Sequence, residues 1–393
     1  MKKVPRLRFR GFQEDWELCK LSSLMSFSNG INAPKENYGK GRKMISVMDI
    51  LDEHPVKYEY IRNSVQVNEE IESKNKVEYG DLVFVRSSEV PEEVGWAKAY
   101  LEEEYALYSG FSIRGKKTNE FNSHFVELTL NSINRKQIER KAGGSTRFNV
   151  SQTILNSLEL LVPKIEEQNK ISYLFKKLDD TIALHQRKLD QLKELKKAYL
   201  QVMFPAKDER VPKLRFADFE GEWEQCKLED LANKYNNLRI PITASKRIYG
   251  NTPYYGANGI QDFVEGYTHD GEFILVAEDG ASNLKDYPVQ YVNGKVWVNN
   301  HAHVLQAKRS KADNKFLMNA IKSINIEPFL VGGGRSKLNS EVMMNLEINT
   351  PSKDEQLKIS TLCKQLDDIT ALYQNKLNQL KNLKKSYLQN MFI

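Results

Sequence analysis

The segment Val4–Leu24, VPRLRFRGFQEDWELCKLSSL, recurs as Val211–Leu231, VPKLRFADFEGEWEQCKLEDL, with 12 of 21 positions identical at an offset of 207. A second repeat relates Lys164–Phe204 to Ser352–Phe392 at an offset of 188, with 26 of 41 positions identical. Duplication constrains the fold strongly, because each copy is the same structural unit met twice. The offsets differ by 19, so the first half holds 19 more residues between its repeats. Residues 25 to about 146 and 232 to about 334 show no mutual similarity. Each half is therefore a shared head, a private globular segment and a shared tail.

The tails read as long helices. Positions 171, 175, 178, 182, 185, 189, 192, 196, 199 and 203 alternate steps of four and three, the spacing of a coiled-coil seam. Leu178, Ile182, Leu189, Leu192 and Tyr199 are the pairing candidates in the first tail, and Leu366, Tyr373, Leu377, Leu380 and Tyr387 in the second. His185, Lys196 and Lys384 also fall on the seam, where they fix register or snorkel outward. Asp179-Asp180 and Asp367-Asp368 read as solvated surface. Pro163 and Pro351 suit helix starts, followed by Glu166, Glu167, Asp354 and Glu355 at the positive helix end. About 38 residues at 1.5 Å each give a rod of roughly 55 Å. Two such helices in one chain most simply pair antiparallel about a pseudo-two-fold axis; a homodimer through the coils is the alternative.

The private segments read as mixed α and β. Glu272–Gly280, Lys295–Ala307, Lys43–Leu51 and Asp81–Glu89 are strand-like runs closed by polar turns, while Thr252–Tyr267 is read as an exposed loop. Each segment ends in a Gly-rich turn with an arginine, GGSTRFNVS at Gly143 and GGGRSKLNS at Gly332; Arg147 aligns with Arg335 at the 188 offset.

Composition then narrows the function. The 393 residues include 58 basic and 52 acidic side chains, a net +6 that permits a polyanionic partner without requiring one. No apolar run is long enough to span a membrane, and the basic N-terminus lacks a signal-peptide core. Three scattered cysteines fit a reduced, cytoplasmic protein. There is no P-loop, since Gly266 and Gly271 are followed by Glu-Phe, and no Asn-Pro-Pro-aromatic or Gly-x-Gly-x-x-Gly motif. His301 and His303 alternate on a strand, but no third ligand stands nearby in sequence, so no metal site is expected.

The VP(R/K)LRF head, F-x-x-x-W-E-x-C-K-L, a Gly-Gly turn closed by an arginine (G-G-x-x-R in the first copy, G-G-G-R in the second), Pro, E-Q, LDD and the terminal YLQ-x-MF, each occurring twice, resemble the specificity subunit of type I restriction-modification enzymes. YYGANGI at Tyr254 and NNHAHVL at Asn299 resemble segments of that family's target recognition domains. The resemblance implies an α+β architecture: two globular mixed α/β target recognition domains held apart by two long helices in an antiparallel intramolecular coiled coil. Residues 1–162 and 208–350 would be the two recognition domains, and 163–207 and 351–393 the spacer helices. It also implies that each domain reads one half of a bipartite site in double-stranded DNA. The partners implied are two methyltransferase subunits, which carry S-adenosylmethionine, and restriction motor-nuclease subunits, which use ATP and Mg; this chain would bind no cofactor and catalyse nothing.

Because arginine suits guanine and Asn or Gln suits adenine, the expected base contacts are Arg42, Lys43, Arg86, Ser87 and Arg114 in the first domain. In the second they are Tyr254, Tyr255, Asn258, Asn300, His301 and His303. Arg147, Arg335 and Lys337, recurring near the same turn in both halves, are expected on phosphates. A non-catalytic protein-interaction scaffold and a nuclease with a cryptic acidic site are the alternatives.

Overall fold

A computed structural model describes residues 3–144, 146–333 and 336–393. The chain forms two compact units, one comprising residues up to Leu184 together with Lys376–Ile393, the other His185–Asn375. The helices Ile165–Val202 and Lys353–Asn390, each 38 residues long, divide between the units.

In the first unit the strands are β1 (Glu17–Lys20), β2 (Met25–Asn29), β3 (Tyr38–Ile45), β4 (Asn63–Val65), β5 (Leu82–Val85), β6 (Ser87–Ser88), β7 (Ala97–Ala99), β8 (Leu107–Tyr108), β9 (Ser112–Lys117), β10 (Phe148–Asn149) and β11 (Glu159–Val162). They form a four-stranded antiparallel sheet in the order β2-β9-β5-β7 and a three-stranded sheet in the order β4-β3-β8, in which β3 and β8 are parallel. The Lys43–Leu51 run is a strand only to Ile45; Ser46 then caps a short helix, Val47–Ile50, by accepting from and donating to the Asp49 turn.

The second unit contains β12 (Glu224–Lys227), β13 (Ala232–Lys234), β14 (Tyr249–Gly256), β15 (Gly259–Val264), β16 (His269–Ala277), β17 (Val289–Val298), β18 (Ala302–Ala307) and β19 (Glu347–Thr350). Its main sheet runs β13-β18-β16-β17-β14-β15, with β14 and β17 parallel. This is the arrangement of the first unit with one strand left whole. β17 pairs with β16 along one part and with β14 along another, whereas the first unit divides those tasks between β7 and β8. The segments without mutual sequence similarity thus share a strand order. The Thr252–Tyr267 run is a β14–β15 hairpin, not a loop; its alternation seats Tyr254 in the interior.

The repeated head and tail frame each unit identically. β1 pairs antiparallel with β11 and β12 with β19, so Cys19 faces Leu160 and Cys226 faces Ile348. Arg8 grips the Glu167 carboxylate through two nitrogens at 2.7 and 2.8 Å, and Arg215 grips Glu355 at 2.8 Å twice. Both carboxylates are buried, so the bidentate pairing that satisfies them is needed for the helix starts to dock. Ser172 donates to Asn122 Oδ1 and Ser360 to Asp313 Oδ1, both at 2.6 Å, and those acceptors cap the helices Ser123–Asn131 and Asn314–Ser323. The duplicated long helix therefore locks the start of each domain helix.

Within each unit the long helices run antiparallel. In the first, Trp16, Phe125, Phe175 and Phe392 form one aromatic cluster, so the last turn of the C-terminal helix meets the first turns of the central one. In the second, Phe204, Trp223 and Phe316 repeat it with the roles exchanged. Leu178, Leu189, Leu366 and Leu377 are buried, and Ile182, Leu192, Tyr199, Tyr373, Leu380 and Tyr387 half-buried. The His185 ring lies 5.7 Å from that of Tyr373. Asp179 and Asp367 are not simply solvated: they lie one residue beyond the seam and pair with Lys384 and Lys196. Among the described residues no helix is long and apolar enough to cross a membrane.

Candidate nucleic-acid interface

In the second unit, four loops meet beyond the end of β16. Glu278 donates its N–H to His301 O at 2.8 Å and accepts at its own carbonyl from Leu338 N–H at 2.7 Å. Val331 and Lys337 exchange two backbone bonds of 2.9 Å, closing a small return hairpin. The first unit builds the same junction beyond β5: Arg86 donates to Phe111 O and accepts from Val150 N–H, both at 2.9 Å. Gly143 and Asn149 close its return hairpin at 3.1 and 2.8 Å. Asn149 and Lys337 stand 188 residues apart, as do Gly143 and Val331, so the backbone pairs that close the two return hairpins are equivalent.

Three expected base contacts are buried instead. Arg114, 4% exposed, spends its guanidinium on Asp81, with Nε at 2.8 Å and Nη2 at 2.7 Å. Asp81 also accepts backbone N–H groups from Glu78 and Lys117, making the pair a structural knot. Tyr254, 1% exposed, lies under Arg247 and accepts from Ile242 N–H through its hydroxyl. His303, fully buried, meets Leu338 O through Nε2 at 2.8 Å and Asn236 Nδ2 through Nδ1 at 2.9 Å. With a carbonyl at Nε2 and an amide donor at Nδ1 the ring is neutral, and burial lowers its pKa. His301 and His303 consequently do not converge on one site. Tyr255 is half-buried against the Phe273 and Val304 cluster.

The remaining candidates are on the surface and already oriented. Asn258, in the β14–β15 turn, donates to Gly280 O at 2.9 Å and accepts from Ser282 N–H at 2.8 Å, tying two loops together. Asn300 is exposed at the tip of the β17–β18 turn, and His301 Nδ1 lies 2.5 Å from Asp279. Lys337 Nζ is 3.0 Å from Glu278. In the first unit the half-buried Arg86 donates to Gly110 O at 3.3 Å, and Ser87 pairs with Asn149 in the short β6–β10 ladder. Arg147 is exposed and lies over the Phe111 ring at 5.7 Å. A Cβ at Gly110 would meet the end of the Asn32 side chain, which would have to move aside. Arg42 and Lys43 are engaged elsewhere, Arg42 with Tyr58, Glu104 and Tyr105 and Lys43 with Ile61 O. Arg335 lies outside the described residues.

The sequence reasoning missed Phe111, Arg239 and Glu278. Phe111 is 56% exposed beside Arg147, a cation over an aromatic face of the kind single bases stack on. Arg239 donates to Glu278 Oε2 at 2.6 Å and to the carbonyl of Ala302 at 2.9 Å. Burial opposes ionisation of Glu278, but hydrogen bonds from Arg239 and Lys337 outweigh it and hold the carboxyl below its ordinary value. Glu278 stood at the end of a recognised strand-like run, yet only its two cationic neighbours, which come from distant loops, give it a role.

The family described as type I restriction modification DNA specificity domain matches the chain twice, over residues 13–194 and 220–382. A putative type I restriction enzyme specificity subunit of Haemophilus influenzae is 46% identical over 153 residues, 39% of this chain and 38% of that protein. A putative specificity subunit of Methanocaldococcus jannaschii is 20% identical across 95% of this chain and 92% of its own length. The crystal structure of a type I restriction-modification S subunit from M. genitalium superposes with a TM-score of 0.68 at 16% identity, covering 99% of both chains. With two matched copies, a duplicated frame and equivalent loop junctions in both units, the chain belongs to the family of type I restriction-modification DNA specificity subunits.

Proposed function

We propose that this chain is the non-catalytic DNA-recognition component of a type I restriction-modification complex, and that each unit reads one half of a bipartite site in double-stranded DNA. The observation that carries this reading is the loop junction built twice on a duplicated frame: the backbone scaffold is the same, but the displayed side chains differ. Two readers of like geometry and unlike surface would select different base sequences, because base edges are distinguished by the donors and acceptors offered to them. Asn258, Asn300 and His301 in one unit, and Arg86, Ser87, Phe111 and Arg147 in the other, are the proposed contacts.

The long helices set the spacer and dock two methyltransferase subunits. Leu184 and Leu372 are 53% and 66% exposed, and Leu195 and Leu383 are 43% and 39% exposed; each pair is identical across the 188 offset. Apolar side chains present in both copies of a repeat, yet turned away from the seam, fit a surface completed by two copies of one partner. S-adenosylmethionine would bind the methyltransferase subunits, ATP and Mg the restriction subunits, and the complex would work in the cytoplasm. Methylome sequencing of DNA modified by this chain with its methyltransferase tests the reading. Two short specified sequences at one fixed separation are expected, and a single contiguous site or unselective modification would overturn it.

A further inference from the structure

The two junctions carry opposite charges at the same backbone position. Arg86 and Glu278 each follow the central strand of their sheet, each donate to the turn before the next strand and each accept from the residue after the return hairpin. Among the described residues Arg86 has no carboxylate within ion-pair distance. Glu278 is enclosed by cations: Arg239 Nη1 at 2.6 Å on one oxygen and Lys337 Nζ at 3.0 Å on the other, with neutral His303 at 3.4 Å. Arg239 is 15% exposed and its guanidinium also reaches the Ala302 carbonyl, so it is fixed; Lys337 is 47% exposed and, among the described residues, its ammonium pairs with Glu278.

We infer that Glu278 is a specificity-determining positioning residue: an internal counter-charge that keeps Arg239 and Lys337 from the DNA backbone, so that the second unit selects its half-site through neighbouring neutral donors. This rests on the DNA-reading function proposed above. Phosphate attraction adds affinity for every sequence alike and dilutes discrimination, whereas base-edge contacts separate one sequence from another. Arg239 and Lys337 stand beside the Asn300 and His301 turn; if released they would supply the first kind of binding where the second is needed. The main chain of Glu278, not its carboxylate, bonds to that turn through its N–H, and its carbonyl accepts from Leu338. The first unit, with Arg86 at this position, lacks the brake and would bind with the steeper salt dependence.

The test uses the chain assembled with its methyltransferase subunits and DNA duplexes carrying the cognate site or one mismatch in either half. Glu278→Gln should steepen the dependence of affinity on salt by about one unit in the log–log slope, roughly a three- to fourfold greater loss between 50 and 200 mM salt. It should lower discrimination against mismatches in the second unit's half by roughly fivefold or more, leaving the other half unchanged, and Glu278→Asp should restore the wild-type slope. Lys337→Gln, a milder change, should leave the slope where it is, since that lysine is already neutralised. A wild-type slope and wild-type discrimination in Glu278→Gln, or a slope reduced by one in Lys337→Gln, would overturn the inference. A wild-type complex that prefers no bipartite duplex would instead overturn the function on which it rests.

Discussion

Lys196 Nζ lies 2.5 Å from Asp367 Oδ1 in one unit, and its repeat counterpart Lys384 lies 2.6 Å from Asp179, the counterpart of Asp367, in the other. The pairs exchange under the 188-residue offset, as antiparallel pairing of two copies of one helix requires. A slip of one heptad would move each lysine about 10 Å along its partner, so these contacts report register directly. Exposed ion pairs stabilise little, and register selection is the greater consequence.

Charge reversal of one partner, Lys196→Asp, should lower stability by about 1 kcal/mol, and adding Asp367→Lys should recover most of it. Urea unfolding of the four members of this cycle measures the coupling. Equal losses in the single and double variants would mean that the contact does not hold the register.

Arg114 and Arg86 should separate stability from recognition. Arg114→Leu leaves Asp81 buried without its cation and should cost about 3–5 kcal/mol, seen as a lower thermal midpoint. Arg86→Gln, with no acidic partner to strand among the described residues, should shift stability by less than about 1 kcal/mol while reducing the salt slope of DNA binding by about one unit. The converse pattern would reassign both residues.

The neutral, buried His303 makes the second unit acid-sensitive. Its pKa is lowered in the fold, by burial first of all, so the unfolded chain takes up a proton that the folded chain refuses. Its contribution is therefore complete above the ordinary histidine pKa of about 6.5 and is lost as pH falls below it. Unfolding midpoints of the wild type against His303→Gln should converge between pH 7 and 5, and parallel pH profiles would exclude the assignment.

Leu184→Glu combined with Leu372→Glu places charges on exposed positions and should change unfolding stability by less than about 0.5 kcal/mol. Co-purification with methyltransferase subunits should fall sharply, read as complex mass by light scattering. Undiminished assembly would place the docking surface elsewhere.

The duplicated seam was legible because a four-three spacing needs nothing beyond the helix itself, and every seam position from Ile171 to Met203 and from Ile359 to Met391 is buried or half-buried. Lys196 and Lys384 are exceptions on that seam, and the heptad spacing does not tell that Asp367 and Asp179 face them rather than solvent. The candidate contacts were less legible. Arg114, Tyr254 and His303 have the residue types of a reader, and Asn258, Asn300 and Arg147 have them too; exposure alone separates the two groups.

The sequence by itself determined that there are two copies of one frame, that long helices end each copy and which side chains line their seam. Those properties follow from identity and from short-range periodicity. Only the tertiary structure decided that segments without mutual similarity share one strand order, with β17 performing in one piece what β7 and β8 divide. It likewise decided that Arg86 and Glu278 stand at one position, and that Asp81, 33 residues before Arg114, and Leu338, 35 residues after His303, turn two apparent readers into core. Strand order is held by backbone bonds that any side chain permits, and a polar residue's role depends on partners that folding brings from far along the chain.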